Sequence, residues 1–170
     1  MMKTFICFAV ALGMCFLTGC KSTPKKKRDS VQKSIVESDN CSDSEAAVQF
    51  KIPSDARESL LKALSTSDYK RLKDSAVCHF FIGLPQSDSA AWGNPRKIMK
   101  TLVASLRNVA WAEEDKKFQN QLNITGNQGD YYFELVLKKS GNGKWTWVGF
   151  NTNDEALLRE LSQLGEFASP

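Results

Sequence analysis

From Ile52 onward the chain carries apolar residues at every third or fourth position in four separate segments. This spacing predicts four amphipathic helices, each with one face that packs against the rest of the domain. The apolar positions of the four segments are Leu60, Leu61 and Leu64; Tyr69, Leu72 and Ala76; Ile98, Met99, Leu102, Val103 and Leu106; and Leu157, Leu158, Leu161 and Leu164. The third stripe is the widest, so we expect that helix to pack on a large surface such as a sheet.

Residues suited to helix N-caps stand near the start of each segment. Ser54, Ser67 and Asn94 are the predicted caps of the first three helices, because their side chains can accept a hydrogen bond from the first turn. Asn94 is followed by a proline, which favours the first helical position. For the last helix, Thr152 and Glu155 have the spacing of a capping box.

Between residues 118 and 149 the apolar residues fall on alternate positions, which is typical of strands with one buried face. Three strands are predicted, on Phe118, Leu122 and Ile124; on Tyr131, Phe133, Leu135 and Leu137; and on Trp145, Trp147 and Gly149. The glycine-containing segments 126–129 and 141–143 supply the turns between them, and the segment 84–93 is predicted to be a loop. The predicted fold is therefore α+β, with N-terminal helices packed on a curved antiparallel β-meander and a C-terminal helix.

This order of elements resembles the cystatin-like cone of the nuclear-transport-factor-two-like superfamily, and most closely its small lipoproteins of unknown function. The resemblance covers about residues 52 to 150 and is carried by Leu60-Leu61-Lys62-Ala63-Leu64, by Ser67-Asp68-Tyr69 and by Gly143-Lys144-Trp145-Thr146-Trp147. It implies a curved sheet whose concave face can hold a ligand. The helix that begins at Thr152 departs from the simplest version of this fold, and its position is suited to plug the open mouth of the cone.

The N-terminal segment has the parts of a bacterial export signal. Lys3 provides the positive start, and an apolar run of 15 residues extends from Phe5 to Gly19. A membrane-spanning helix needs about 20 such residues, and an ordinary secretory signal favours Ala-x-Ala at the cut with no cysteine required after it. The run ends in Leu17-Thr18-Gly19-Cys20, which resembles the cleavage and lipidation box of bacterial lipoprotein precursors.

The lipoprotein resemblance implies that diacylglycerol, and often a further acyl chain such as palmitate, is attached at Cys20 after the signal is removed. Two or more chains anchor a protein stably. Lys21 is similar to the residue that follows the cysteine in lipoproteins sent to the outer membrane. The predicted organisation is a signal peptide at 1–19, a lipidated cysteine and flexible basic linker at 20–44, and a single α+β domain at 45–170.

Positive charge is concentrated in the predicted linker. Residues 21–40 hold six basic and three acidic residues, whereas residues 41–170 hold 16 of each. A neutral domain argues against nucleic-acid binding, which usually needs a basic face. The run from Lys25 to Arg28 is suited either to anionic headgroups, at about 1 kcal/mol per charge, or to a solvated spacer. Few large apolar residues occur here, so the segment is predicted to be flexible.

Two cysteines are left over in the predicted mature domain. Cys7 and Cys15 are removed with the signal and Cys20 is lipidated, which leaves Cys41 and Cys78 as an even pair. In an oxidising compartment such a pair often forms a disulfide, which would add roughly 4 kcal/mol of stability on the loop-entropy model. The alternative is a buried thiol at Cys78 and a free one at Cys41.

Candidate catalytic and metal-binding residues are sparse. The chain has one histidine, no Cys-x-x-Cys motif and no nucleophile elbow, so we expect no metal, no cofactor and no enzymatic activity. His79 can act as a base in principle, but its aromatic neighbours favour a partly buried structural role. The acidic run at 113–115 is expected to be solvated.

Aromatic residues are the remaining candidate for a binding pocket. Trp111, Tyr131, Phe133, Trp145 and Trp147 all fall on predicted strands, where they either pack in the core or line a small site for an apolar ligand or peptide.

Two functions follow from the sequence. The first is a non-enzymatic envelope lipoprotein, anchored to the outer membrane, whose domain binds an envelope protein or a small apolar ligand. The alternative is an enzyme of the ketosteroid-isomerase-like type, in which a cone pocket holds a carboxylate base. The enzyme hypothesis needs a buried acid, Asp130 or Glu134, that faces Tyr131 or His79. Strand alternation instead places both acids opposite the aromatic face.

Overall fold

The structure is a computed structural model in which residues 46–85 and 90–168 are described. By its contacts the chain divides into two units, 1–36 and 37–170, and all described residues belong to the second. The predicted signal, Cys20 and Cys41 lie outside the described residues. None of the helices in the described part is both long and apolar enough to cross a bilayer.

Four α-helices and one short 3₁₀ helix are present in the described ranges. They are α1 (Pro53–Thr66), α2 (Tyr69–Ser75), the 3₁₀ helix (Pro95–Lys97), α3 (Met99–Leu106) and α4 (Glu155–Gly165). All four helices predicted from the apolar spacing are therefore confirmed. The second is shorter than expected, because Ala76 begins a strand.

In the described part of the chain, seven strands form one sheet. They are β1 (Ala76–Gly83), β2 (Ala90–Gly93), β3 (Ala110–Trp111), β4 (Lys116–Phe118), β5 (Gln121–Gln128), β6 (Tyr131–Lys139) and β7 (Trp145–Thr152). The order is β2-β1-β7-β6-β5-β3, with β4 also paired to β5. Strands β5, β6 and β7 are the expected antiparallel meander, and β1 joins it in parallel to β7. The predicted α+β fold class, with helices on a curved sheet and a C-terminal helix, is confirmed.

One apolar core lies between the helices and one face of the sheet. The largest side chains buried in it include Trp147, Phe80, Phe150, Leu60, Leu72 and Met99. Phe133, Leu135 and Leu137 of β6 enter the same core, as the alternation predicted. Leu157 and Leu161 of α4 also belong to it, so the C-terminal helix covers apolar surface of the domain.

Three of the four predicted helix caps are wrong by one or two residues. Helix α1 is preceded by Ile52 with Pro53 in the first turn, and Ser54 does not cap it. Asp68 caps α2, whereas Ser67 ends α1 in a left-handed conformation. Asp154, whose Oδ1 accepts from the N–H of Leu157 at 3.0 Å, caps α4 in place of Thr152.

Asn94 caps the short 3₁₀ helix Pro95–Lys97, since its Oδ1 accepts from the N–H of Arg96 at 2.9 Å, whereas α3 begins after Ile98 without a side-chain cap. At α2 and α4 two residues that can cap a helix stand close together in sequence, and the fold of the chain decides which one is used. No side chain caps α1.

Several strand boundaries differ from the prediction. The predicted loop at 84–93 contains β2, which pairs with β1. The predicted strand on Phe118, Leu122 and Ile124 is two strands, and Phe118 is 60% exposed. Gly126 lies inside β5 and not in a turn, and Val109 and Trp111 approach it too closely for a side chain.

An irregularity in the pairing of β6 with β7 changes which side chains of β7 face the core. Leu137 pairs with Trp147 and Val136 with Gly149, so one residue of β7 is left over between them. Such a bulge reverses the alternation. Trp147 and Phe150 therefore both enter the core, whereas Gly149 lies on the other face, against the ring of Phe81.

Candidate functional site

The face of the sheet turned away from the apolar core carries a cluster of buried polar side chains. On β5 and β6, Asn123 and Glu134 alternate with core residues, and on β7 Asn151 pairs directly with Glu134. Asn123 and Glu134 are each only 7% exposed. Buried polar groups are stable only when they are hydrogen-bonded, so their partners decide what this cluster does.

The carboxylate of Glu134 accepts hydrogen bonds from three neighbouring side chains. Its Oε1 accepts from Nδ2 of Asn123 at 2.8 Å and from the hydroxyl of Tyr132 at 3.0 Å. Its Oε2 accepts from Nδ2 of Asn151 at 2.7 Å. Hydrogen bonds to an ionised group are the stronger kind. The three donors come from three adjacent strands, so the network also links those strands.

Tyr132 and Lys116 complete the electrostatics of the cluster. Burial raises the pKa of the Tyr132 hydroxyl well above its usual range, and the charge of Glu134 and the hydrogen bond to it add to the rise. The hydroxyl therefore stays protonated and donates. The ammonium of Lys116 lies 5.7 Å from the centre of the Tyr132 ring, within the range of a cation–π contact.

These side chains line a cavity of about 520 Å³, which we call the sheet-face cleft. Its lining residues are Pro85, Lys116, Phe118, Gln121, Asn123, Tyr132, Glu134, Asn151 and Asn153. The volume lies within the range of about 300–1,000 Å³ that is usual for ligand sites. Gln121 donates from Nε2 to Oδ1 of Asn123 at 2.8 Å, which fixes the orientation of that amide.

A second cavity of about 510 Å³ lies in the groove between α1 and α2. It is lined by Asp55, Glu58, Ser59, Lys62, Ala63, Thr66, Asp68 and Arg71. Arg71 donates from Nε to Oγ of Ser59 at 3.0 Å, and its guanidinium stands over the ring of Phe50. Arg71 is therefore held across the groove by a contact between the two helices.

The five aromatic residues predicted to line a pocket are distributed differently. Phe133, Trp145 and Trp147 are buried in the core, where Trp147 meets Phe80 edge to face and donates from Nε1 to the carbonyl of Gly149 at 2.8 Å. Trp111 is half-buried beside the core, and Tyr131 is 49% exposed. Neither cavity described above is lined by any of the five.

The two candidate acids of the enzyme hypothesis lie in different environments. Asp130 is exposed in the turn before β6, and Glu134 is buried. Glu134 faces away from the core, as strand alternation predicted, and its phenol partner is Tyr132 in place of Tyr131. His79 is exposed on β1 and stacks on Trp92, with ring centres 4.5 Å apart, so the expected partial burial of this histidine is wrong.

The acidic run at 113–115 is not uniformly solvated. Glu113 and Glu114 are exposed, whereas Asp115 pairs with Arg57 of α1, with Nε and Oδ1 2.9 Å apart. Within 46–85 and 90–168, no group of three or more His, Cys, Asp and Glu side chains is placed to hold a metal ion. Asp115 is therefore best described as a structural ion-pair partner.

Cys78 on β1 is disulfide-bonded. The four other cysteines of the chain, Cys41 included, lie outside the described residues. The pairing of Cys78 with Cys41 and the lipidation of Cys20 both stay predictions.

Sequence reasoning named Glu134 but missed Asn123, Tyr132 and Asn151. A signal was present, because Asn123 and Glu134 occupy the positions of β5 and β6 that alternate with apolar residues. Such positions are ordinarily exposed on an antiparallel sheet. Only the register of the three strands shows that these residues meet and bury one another.

Three crystal structures illustrate what the chain is similar to. A ketosteroid isomerase-like protein from Erwinia carotovora atroseptica is 16% identical, with a TM-score of 0.38 over 58% of this chain and 90% of that one. A nuclear-transport-factor-two-like protein from Cytophaga hutchinsonii is 13% identical, with a TM-score of 0.38 over 58% and 91%. A protein of unknown function with a cystatin-like fold from Nostoc punctiforme is 11% identical, with a TM-score of 0.38 over 58% and 85%.

These similarities concern the class of fold alone. The domain is an α+β protein with helices on a curved sheet, and its structural neighbours are cone folds of the nuclear-transport-factor-two-like and cystatin-like kind. No protein-family model matches the sequence, and no curated protein is significantly similar to it. The activity of the chain must therefore be argued from its own residues.

Proposed function

We propose that the chain is a bacterial envelope lipoprotein, anchored through lipid on Cys20, whose domain is a non-enzymatic binding module. The observation that carries the binding role is the sheet-face cleft, where one buried carboxylate is held by three donors. The N-terminal box at 17–20 supports the anchor, and Lys21 supports the outer membrane as its destination.

The anchor rests on the apolar run that precedes Cys20. That run has 15 residues, too few for a spanning helix, whereas two acyl chains suffice for stable attachment. The basic residues at 25–28 would add attraction to anionic headgroups. In this proposal the domain itself needs no membrane-binding surface, which agrees with its equal numbers of basic and acidic residues from residue 41 onward.

The arrangement around Glu134 supports binding better than catalysis. A general base must accept a proton from its substrate, and three of the roughly four acceptor positions of the Glu134 carboxylate are already taken by Asn123, Tyr132 and Asn151. The same three donors hold the side chain in one geometry. A rigid polar surface of this kind is what a binding site requires.

The ketosteroid-isomerase-like alternative places its carboxylate inside the cone. The core face of the sheet is occupied by Phe133, Trp147 and Phe150, and Glu134 projects from the opposite face. The buried pair of Glu134 and Tyr132 is the one observation that favours an enzyme, since both groups line a cleft. An enzyme at this site would use the outer face of the sheet and not the cone pocket.

Metabolic labelling with an alkyne analogue of palmitate tests the anchor. The wild-type chain should be labelled and should accumulate as a precursor in globomycin, and both effects should be absent in Cys20→Ala. Cys15→Ala is the matched control, because it also removes a cysteine of the N-terminal segment and should leave labelling intact. Persistent labelling of Cys20→Ala would overturn the anchor.

A photo-crosslinking amino acid tests the binding role in intact envelopes. Placed at Phe118, which is 60% exposed on the rim of the cleft, it should form an adduct with the bound molecule. Placed at Tyr131, which is 49% exposed outside the cleft, it should not. The same adducts at both positions, or none at Phe118, would contradict binding at this site.

A further inference from the structure

The sheet-face cleft contains a donor and several acceptors that have no hydrogen-bond partner among the described residues. Oδ1 of Asn151 and Oε1 of Gln121 accept no hydrogen bond within 46–85 and 90–168. The ammonium of Lys116 forms no ion pair with the same residues and contacts the face of Tyr132. The hydroxyl oxygen of Tyr132 keeps its accepting capacity after donating to Glu134.

The charges that line the cleft balance. Among the lining residues that the structure describes, Glu134 is the one acid and Lys116 the one base, and the remaining polar side chains are amides and a phenol. Three neutral donors already form hydrogen bonds to the carboxylate of Glu134. In the described part of the lining a strongly anionic ligand would find one lysine and no arginine, and a strongly cationic ligand would find a carboxylate that already accepts three hydrogen bonds.

An exposed aromatic ring stands at the rim. Phe118 is 60% exposed although it belongs to a strand, and it pairs with Gln121 across the β4–β5 hairpin. A large apolar side chain held in solvent beside polar groups offers a flat surface on which a ligand with an apolar face can stack.

We propose that the sheet-face cleft binds a neutral carbohydrate. A hydroxyl group both donates and accepts, so a sugar can satisfy Lys116 and the open oxygens of Asn151 and Gln121 together, whereas a purely anionic or cationic group satisfies one kind only. The C–H face of the sugar ring stacks on Phe118. This inference deepens the binding role proposed above and names the ligand class of that same site.

Titration of the purified full chain in detergent micelles tests the proposal. The probes are the trisaccharide of N-acetylglucosamine and maltotriose, and the readout is the side-chain amide resonances of Asn123, Asn151 and Gln121 by ¹H–¹⁵N NMR. At least one sugar should shift them in a saturable manner. Inorganic phosphate and spermidine are the ionic controls and should leave these resonances in place.

Two variants locate the site. Phe118→Ala should weaken sugar binding about tenfold, the loss of one ring stack, with little effect on folding because the ring is exposed. Tyr131→Ala removes a comparably exposed ring outside the cleft and should leave the affinity unchanged. Equal effects of the two variants would overturn the location.

The outcomes separate this inference from the function on which it rests. If phosphate or spermidine shifts these resonances and neither sugar does, the carbohydrate proposal is wrong, whereas the proposal of a binding module stands. No shift with any of the four probes also overturns it. If the labelling experiment shows that Cys20 is not lipidated but the sugar still binds, the envelope proposal alone is overturned.

Sedimentation with purified peptidoglycan sacculi distinguishes the source of the sugar. Co-sedimentation that Phe118→Ala weakens supports a wall glycan. Binding of a soluble trisaccharide without co-sedimentation supports a free oligosaccharide.

Discussion

The two faces of the sheet are buried to a similar degree by different means. On the core face Phe133 is 3% exposed and Trp147 is fully buried, and both are surrounded by apolar side chains. On the opposite face Glu134 is 7% exposed and is surrounded by amides and a phenol. The first face is stabilised by removal of apolar surface from water, whereas the second depends on every buried polar group keeping its partner. Changes that test each requirement separately will show whether this distinction holds.

The largest effect is expected on the core face. Trp147→Ala should lower the free energy of unfolding by about 3–5 kcal/mol, because it leaves a cavity beside Phe80 and removes the donor to the carbonyl of Gly149. Chemical denaturation measures the change. Tyr131→Ala, which removes an exposed ring from β6, should stay within about 0.5 kcal/mol. Similar losses in the two variants would show that the core assignment is wrong.

The next prediction concerns Gly149, which lies on the face of the sheet opposite the core and is covered there by the ring of Phe81. Added side-chain volume at this position should be costly. A Cβ on Gly149 would clash with the ring of Phe81, so Gly149→Ala should destabilise the protein by about 1–3 kcal/mol. In Gly149→Ala/Phe81→Ala that clash is absent. The double variant should therefore be more stable than the sum of the two single changes predicts. Additive losses would contradict the close contact.

Glu134→Gln tests the polar end of the same face. The amide places a donor against Asn123, Tyr132 or Asn151, which all donate to this residue in the wild type, so we expect a loss of about 1–3 kcal/mol. Glu160→Gln on the exposed surface of α4 is the matched control and should have little effect. If Glu134→Gln were as stable as the wild type, the network would not be holding the strands.

The smallest expected effect is a change in alkaline titration. The pKa of Tyr132 is raised above the unfolded value near 10, and Glu134 contributes to that rise through its charge and its hydrogen bond. The folded state therefore retains this proton longer than the unfolded state does. The stabilisation it gives is complete below pH 10 and is lost as the pH rises through the pKa of the folded state.

Ultraviolet titration of tyrosinate absorbance measures this difference. In Glu134→Gln the highest of the tyrosine transitions should move to lower pH, because the negative neighbour is gone. Tyr132→Phe identifies that transition by removing it. An unchanged titration in Glu134→Gln would show that burial alone raises the pKa of Tyr132.

Local patterns predicted most of the elements, and they failed where distant residues decide. Strand β1 was not recognised because it follows α2 without a break and pairs in parallel with β7, which lies much further along the chain. The face taken by Gly149 was wrong because the bulge in β7 depends on the register with β6. Caps were misplaced where Ser67 and Asp68, or Thr152 and Asp154, compete within a few residues.

The sequence by itself determined the four helices, the meander β5 to β7 and the apolar face of β6, because helical and strand periodicity are properties of neighbouring residues. It also contains the box at 17–20 on which the proposed anchor depends. Only the tertiary structure decided that Glu134 is buried with Asn123, Tyr132 and Asn151 around it. Their meeting depends on the register of three strands, and that register is fixed by pairing and core packing across the whole sheet and not by the residues beside them in sequence.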